Sequence, residues 1–293
     1  MSNQAKTTFI NYNLYRQQDR RDGGYLLSKV RLGLCQMKVS DTKSDNLNKA
    51  VQMIKSCKNE SANIAVLPEM FNCPYDTQKF PIYAEDLKNS ETVSVISEAA
   101  KYNDIYVIAG SIPEICEGKY YNTCLIFDRT GKVIGKHRKV HLFDINIKNG
   151  IRFKESDILS CGNQVTVVNT EYCKIGIAIC FDMRFSELYR EMSKAGAMLI
   201  ITPGAFNMTT GPAHWELLIR TRALDNQLFH AAVSPARDID ASYVAYGNSM
   251  LCDPWGNVVA RADEKEQIII SDVDLDMVDS IREQIPVVSE YLI

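Results

Sequence analysis

Short apolar runs that alternate with amphipathic stretches constrain this chain more than any other feature it has. Residues 30–37, Val-Arg-Leu-Gly-Leu-Cys-Gln-Met, alternate in the manner of a strand. Ser44 or Asp45 can cap a following helix, in which Leu47, Ala50, Val51 and Ile54 fall at i, i+3, i+4 and i+7 and form one apolar stripe. Residues 63–67 make a short apolar run suited to a strand buried on both faces. A helix over 90–102 and a strand over 105–109 follow. Strand–helix–strand alternation of this kind predicts a parallel-type sheet covered by helices, an α/β fold.

The middle of the chain breaks that rhythm. Residues 120–129 and 132–139 flank Thr130-Gly131 and read as a hairpin. Residues 141–162 are weakly periodic and lead to strands over 164–170 and 173–180. A helix at 186–195, an apolar strand at 197–203, a helix at 213–226 and strands near 228–234, 246–252 and 257–261 complete the reading. No repeat, low-complexity block or linker-like stretch divides the chain. The expected organisation is a polar N-terminal tail over 1–29 and a single domain over 30–293. The tail has no apolar stretch fit for a secretory signal, and Asp19 and Asp22 weaken a mitochondrial presequence without excluding it.

Composition narrows the function classes. Thirty-three Lys and Arg against 36 Asp and Glu leave a net charge of −3, which argues against nucleic acid or an anionic membrane as partner. The longest apolar run, 195–201, falls far short of the roughly 18 residues that span a bilayer. The nine cysteines form no C-x-x-C pair, and an odd, scattered set does not read as a disulfide framework. Free thiols in a reducing compartment, the cytoplasm first, are the simplest expectation. His137 and His141 are spaced i, i+4 but lack the glutamate of H-E-x-x-H, so no metal is expected. There is no G-x-x-x-x-G-K and no G-x-G-x-x-G, so no nucleotide cofactor is expected either.

Three residues stand out by position. Cys180 ends the apolar strand and precedes a turn into a helix, an elbow that would project a nucleophile beside N–H groups able to face a developing anion. A helix end there would also favour the thiolate. A buried cysteine closing a core strand is the equal alternative. Glu69 follows an apolar run and Pro68, which cannot donate to a central ladder, so it falls at the carboxyl edge of a strand, where ligands bind in open α/β sheets. Desolvation there would raise its pKa and suit it to general-base work, a surface loop glutamate being the alternative. Lys139 sits in Lys136-His-Arg-Lys139, which reads locally as a solvated basic face or an anion patch.

Taken together, Leu67-Pro-Glu69, His137-Arg-Lys139-Val-His-Leu-Phe and Ile179-Cys180-Phe-Asp-Met-Arg184-Phe resemble the three catalytic motifs of the nitrilase superfamily of carbon–nitrogen hydrolases. They stand in the family order Glu, Lys, Cys, at spacings of 70 and 41 residues, and the resemblance spans about 30–285. Phe71-Asn-Cys-Pro-Tyr75, Phe153-Lys-Glu155-Ser, Pro203-Gly-Ala-Phe-Asn207 and Ser234-Pro-Ala-Arg237 are similar to the omega-amidase branch. That resemblance implies a four-layer α-β-β-α sandwich and a homodimer pairing around the helices after the Cys strand and the 203–207 segment. It implies hydrolysis of the terminal amide of short dicarboxylic monoamides, 2-oxoglutaramate and 2-oxosuccinamate, through a thioester and without a cofactor.

The resemblance makes Cys180 the nucleophile, Glu69 the general base, Lys139 the proton donor and oxyanion stabiliser, and Glu155 a second glutamate supporting the lysine. The Phe181 N–H would be a second oxyanion donor. A carboxylate-bearing substrate needs a cation, for which Arg184 is the first candidate, with a salt bridge to Asp182 or Glu187 as its alternative. Tyr75 and Phe206 could wall the pocket or simply fill the core. Thr202, Phe181 and the C-terminal residues 284–293 depart from the family pattern. Another amidase of the superfamily, acting on deaminated glutathione or an N-carbamoyl compound, is the nearer alternative; a non-catalytic interaction protein is the more distant one.

Overall fold

Two β-sheets packed face to face carry the fold, in a computed structural model that describes residues 28–148 and 152–288. Most of the expected N-terminal tail and residues 289–293 of the atypical C-terminus therefore lie outside the described residues. The first half runs β1 (Lys29–Gln36), α1 (Lys43–Asn59), β2 (Ile64–Val66), α2 (Phe80–Tyr83), α3 (Glu91–Tyr102), β3 (Tyr106–Ile108), β4 (Ile112–Cys116), β5 (Lys119–Phe127) and β6 (Val133–Arg138). Two short strands follow, β7 (Asp144–Asn146) and β8 (Arg152–Lys154). The second half runs β9 (Thr166–Asn169), β10 (Lys174–Ile177), α4 (Ser186–Lys194), β11 (Leu199–Pro203), α5 (Gly211–Asn226), β12 (Phe229–Val233), β13 (Met250–Cys252) and β14 (Val258–Arg261). β15 (Gln267–Asp274) and α6 (Leu275–Gln284) end it.

The first sheet has the order β15-β1-β2-β3-β5-β4, with β6 also on β5; the second has the order β14-β13-β12-β11-β10-β9. β1, β2 and β3 are parallel, as are β10, β11 and β12, so each sheet has a parallel centre with antiparallel flanks. Alternation along the strands sorts the layers. Leu32, Leu34, Ile64, Val66 and Ile108 share one core with Ile175, Ile177, Leu199 and Ile201, so these faces of the two sheets meet. The opposite residues of the first sheet, Cys35, Ala65, Leu67 and Val107, pack on Leu47, Ala50 and Ile54 of α1 and Ile96 of α3. On the second sheet Gly176 faces Met192 of α4, and His230 Nδ1 reaches Ile219 O of α5 at 3.1 Å. The result is the expected α-β-β-α sandwich.

Several boundaries differ from the sequence reading, each for a local reason. α1 starts at Lys43 with Thr42 at its N-cap, ahead of the expected Ser44 or Asp45. β10 stops at Ile177 and not at Cys180, because the chain leaves the sheet before the elbow. The weakly periodic stretch after 141 holds the small β7–β8 ribbon. β15 runs antiparallel along the whole of β1, from Lys29–Asp274 to Gln36–Gln267, a long-range pairing that no local pattern announces.

Candidate active site

Three strand ends meet at one place. Beyond β2, Leu67 N still donates to Ile108 O at 2.9 Å, and Pro68 then turns the chain so that Glu69 leaves the ladder. Gly110 backs this turn: its φ is +45°, and an added Cβ would lie 1.9 Å from Pro68 O, so only glycine fits. Lys139 follows β6, its backbone N–H donating to Asn122 O at 2.8 Å. Cys180 opens a tight helical turn (Cys180–Arg184) with φ at +47°, an uncommon region for a non-glycine residue and one that persists where the surroundings impose it. Gly204, just past β11, lies under it; a Cβ there would sit 3.2 Å from Cys180 Cα and from the Trp215 ring.

The side chains from these ends form one buried cluster. Lys139 Nζ donates to Glu69 Oε1 at 3.0 Å, to Glu155 Oε1 at 3.0 Å and to Glu155 Oε2 at 2.9 Å, and all three side chains are fully buried. Glu69 Oε1 also accepts from Asn122 Nδ2 at 2.9 Å, and Oε2 from the Ala205 N–H at 2.7 Å. Tyr75 OH donates to Glu155 Oε1 at 2.7 Å, and the Phe143 N–H donates to Glu155 Oε2 at 2.7 Å. Cys180, 2% exposed, lies beside Glu69, whose negative charge acts on its thiol. The structure thus brings Glu69, Lys139, Glu155, Tyr75 and Cys180 together.

One cation balances two carboxylates here, and that decides the protonation states. Burial pushes the Cys180 thiol well above its ordinary value, and the negative Glu69 adds to it. The sequence-based expectation of a thiolate meets an opposing environment: desolvation and the carboxylates outweigh the charge of Lys139. Burial raises Glu69 too, opposed by the charge of Lys139. For Lys139 burial works toward neutrality, but Glu155 and Glu69 more than offset it and hold the ammonium charged. The resting site holds a thiol, a base beside it and a fixed positive charge.

Arg184 does not pair with Asp182 or Glu187. Its guanidinium lies over the Phe181 ring at 5.5 Å and the Phe206 ring at 5.1 Å, with His214 Nδ1 at 3.3 Å from one terminal nitrogen. It is half-buried, no carboxylate pairs with it among the described residues, and its Nε is buried without a hydrogen-bond partner. Phe206 stacks edge-on against Trp215 beneath it, and Phe181 packs on Phe143. A cavity of about 420 Å³ reaches inward to Glu69, Tyr75, Ala205 and Tyr243, and its mouth carries Lys38, Asp41, Lys79 and Asp238. Tyr75 lines that cavity; Phe206 does not.

Four contributors were missed. Asn122 and the Ala205 N–H hold Glu69, and Tyr243, its ring 4.5 Å from that of Tyr75, closes one side. Nothing local marks them, since each matters only through a partner far along the chain. The fourth is Asp182: His137 and His141 turn inward onto it and do not form a solvated basic face. β6 ends at Arg138 and the chain bends at Val140 and His141, so strand alternation alone did not announce this pairing.

The chain is similar to known proteins over most of its length. Residues 31–283 match the carbon-nitrogen hydrolase family. The chain is 53% identical over 261 residues to the omega-amidase NIT2-B of Xenopus laevis, covering 89% of this chain and 94% of that protein. It is 50% identical to the omega-amidase NIT2 of Mus musculus, covering 90% and 95% respectively. Among solved structures, Saccharomyces cerevisiae Nit3, a member of branch 10 of the nitrilase superfamily, superposes with a TM-score of 0.82 at 41% identity, over 88% of this chain and 94% of that one.

Proposed function

The chain belongs to the carbon–nitrogen hydrolase family, and we propose that it is an omega-amidase, releasing ammonia from the terminal amide of a short dicarboxylic monoamide by way of a thioester on Cys180. The observation that carries the reaction is the buried convergence of Lys139 Nζ on Glu69 and Glu155, with the Cys180 thiol buried beside Glu69. An amide carbonyl is a weak electrophile, so attack needs an activated thiol and donors aimed at the new oxyanion. Glu69 takes the proton from Cys180 Sγ as sulfur bonds to the carbonyl carbon. Lys139 Nζ and the Phe181 N–H, at the start of the helical turn, face the oxyanion. Glu69 passes the proton to the amide nitrogen, the C–N bond breaks and ammonia leaves. Water then adds to the thioester while Glu69 takes its proton; collapse breaks the C–S bond, frees the acid and returns the proton to sulfur.

The names of the vertebrate relatives support amide chemistry at the ω end of a chain. For the remote carboxylate of 2-oxoglutaramate or 2-oxosuccinamate, Arg184 is the cation of choice: it is half-buried, lies near Cys180 and is uncommitted to any acid among the described residues. Its planar fork suits a carboxylate. The nine free cysteines suit a reducing compartment, the cytoplasm. We also assign it a homodimer through α5.

The test is ammonia release from 2-oxoglutaramate, 2-oxosuccinamate and an N-carbamoyl compound, compared by kcat/KM. The expected order puts the 2-oxo monoamides first, and Cys180→Ala lowers turnover by at least ~10⁴-fold with the fold kept. Turnover that survives in Cys180→Ala would sink the mechanism, and a preference for the N-carbamoyl compound would sink the substrate.

A further inference from the structure

The nucleophile and the lysine sit on elements from different halves of the chain, yet their backbones share one anchor. Asp182 is fully buried two residues after Cys180. Its Oδ1 accepts from the His141 N–H and from His141 Nδ1, both at 2.8 Å. Its Oδ2 accepts from the Ile179 N–H at 3.0 Å and from His137 Nε2 at 3.2 Å. Two of these donors flank Cys180 and Lys139 closely in the chain: Ile179 precedes the nucleophile, and His141 follows the lysine by two residues. His137 precedes it by two, and its Nδ1 meets the Thr166 hydroxyl at 2.9 Å, so a neutral ring can accept there and donate to Asp182.

We propose that Asp182 is a positioning residue for the hydrolytic reaction, its carboxylate tying the turn that presents Cys180 to the extended segment that presents Lys139. The proposal rests on reading those two residues as nucleophile and oxyanion donor. Four N–H groups saturate the acceptor positions of an ionised carboxylate, and no donor is left over. The bond from the Ile179 N–H fixes the peptide one residue before the +47° conformation of Cys180, and the pair of bonds from His141 fixes the segment leaving Lys139. Asp182 touches neither substrate nor reacting atoms; it sets the distance between those that do.

An amide cannot replace this carboxylate. Whichever way the side chain introduced by Asp182→Asn is turned, its NH₂ faces either the Ile179 N–H or the His141 N–H, and a backbone donor cannot become an acceptor. Imidazole can switch tautomer to accommodate the change, but one peptide N–H stays unpaired in a buried site. The strain falls on one of the two segments that must stay in register.

The experiment separates positioning from mere stability. Asp182→Asn is expected to lower kcat on the order of 10- to 100-fold, a displacement effect, with KM for 2-oxoglutaramate within about twofold. His141 supplies the discriminating pair, because its ring also stacks on Phe185 at 3.5 Å and 7°. His141→Phe keeps the stack and loses the donor; His141→Asn loses the stack and keeps a donor near Nδ1. The proposal expects kcat to fall in His141→Phe and to recover much of the loss in His141→Asn, whatever the order of their melting temperatures. If His141→Asn is as slow as His141→Phe, or if His141→Phe turns over at the native rate, the proposal is wrong, and this holds even where Asp182→Asn fails to fold. A silent Cys180→Ala alongside an unimpaired His141→Phe rejects the positioning role alone; turnover in Cys180→Ala rejects the reading beneath it.

Discussion

Glu69 has to be ionised to take a proton from Cys180, and its burial works against that. Desolvation raises its pKa above the ordinary glutamate value near ~4.3, while Lys139 pulls it back. Below its pKa the base is protonated and cannot accept, so the acid limb of kcat/KM against pH is expected above the ordinary carboxylate range. Glu69→Gln should cost roughly 10²- to 10⁴-fold and abolish that limb. Asn122 gives a finer test. Its Nδ2 donates to Glu69 Oε1 and so favours the charged form; Asn122→Leu should move the acid limb to still higher pH. A limb that stays in place or moves down in Asn122→Leu would show that Glu69 is not the titrating base. The catalytic candidates were legible because each sits in a compact motif. Asn122 and Asp182 were not, because a buried amide or carboxylate declares its role only through partners 53 and 41 residues away.

The β4–β5–β6 hairpins deliver Lys139, and one side chain ties them together. Glu114 of β4 accepts from Arg138 of β6 at 2.8 and 2.6 Å and from the Thr123 hydroxyl of β5 at 2.6 Å. Burial alone would raise its pKa, but the Arg138 and Thr123 hydrogen bonds outweigh that and lower it. Its folded pKa lies below the unfolded one. The contribution to stability is therefore complete above the unfolded value near ~4.3 and is lost as pH falls toward the folded value. Glu114→Gln should cost about 1–3 kcal/mol at pH 7, and its melting temperature should converge on that of the native chain as the pH drops below about 4. A gap that is independent of pH would mean the charge is irrelevant. Within this region the β5–β6 hairpin was readable and β4 was not. Pro113 and Glu114 interrupt any alternation, so β4 went unnoticed, yet Pro113 is tolerated because β4 is an edge strand. By contrast β1, α1, β2, α3 and β3 were readable, since each buries a face against the next and so carries its period in its own residues.

Across the whole molecule, α5 is the element with two unlike faces. Inward, Trp215 and Ile219 are fully buried, and Trp215 packs on Phe206 below Arg184 and on Gly204 below Cys180. Outward, Leu217 is 64% and Leu224 is 52% exposed, two turns apart on one face. The turn carrying Trp255, 49% exposed, abuts Leu224, and Arg220 Nε fastens it by donating to Gly256 O at 2.8 Å. Glu216, paired with Arg261 at 2.8 Å and Arg220 at 3.4 Å, borders the same face. Exposed leucines and a tryptophan with a charged margin have the make-up of an interface centre and its rim. A second copy of the chain meeting α5 against α5 would bury this face by two-fold symmetry, each leucine row serving both subunits. The paired substitutions Leu217→Asp and Leu224→Asp place like charges opposite each other at the centre. The native chain is expected to sediment as a dimer at micromolar concentration and the double variant as a monomer, with far-ultraviolet circular dichroism unchanged. A native monomer, or a double variant that remains dimeric, removes α5 as the pairing face. Because the inner side of the same helix supports Phe206 and Gly204, the sharper expectation is a lower kcat in the monomer, measured on 2-oxoglutaramate at matched folding. An undiminished kcat would mean that the helix holds the site without its partner.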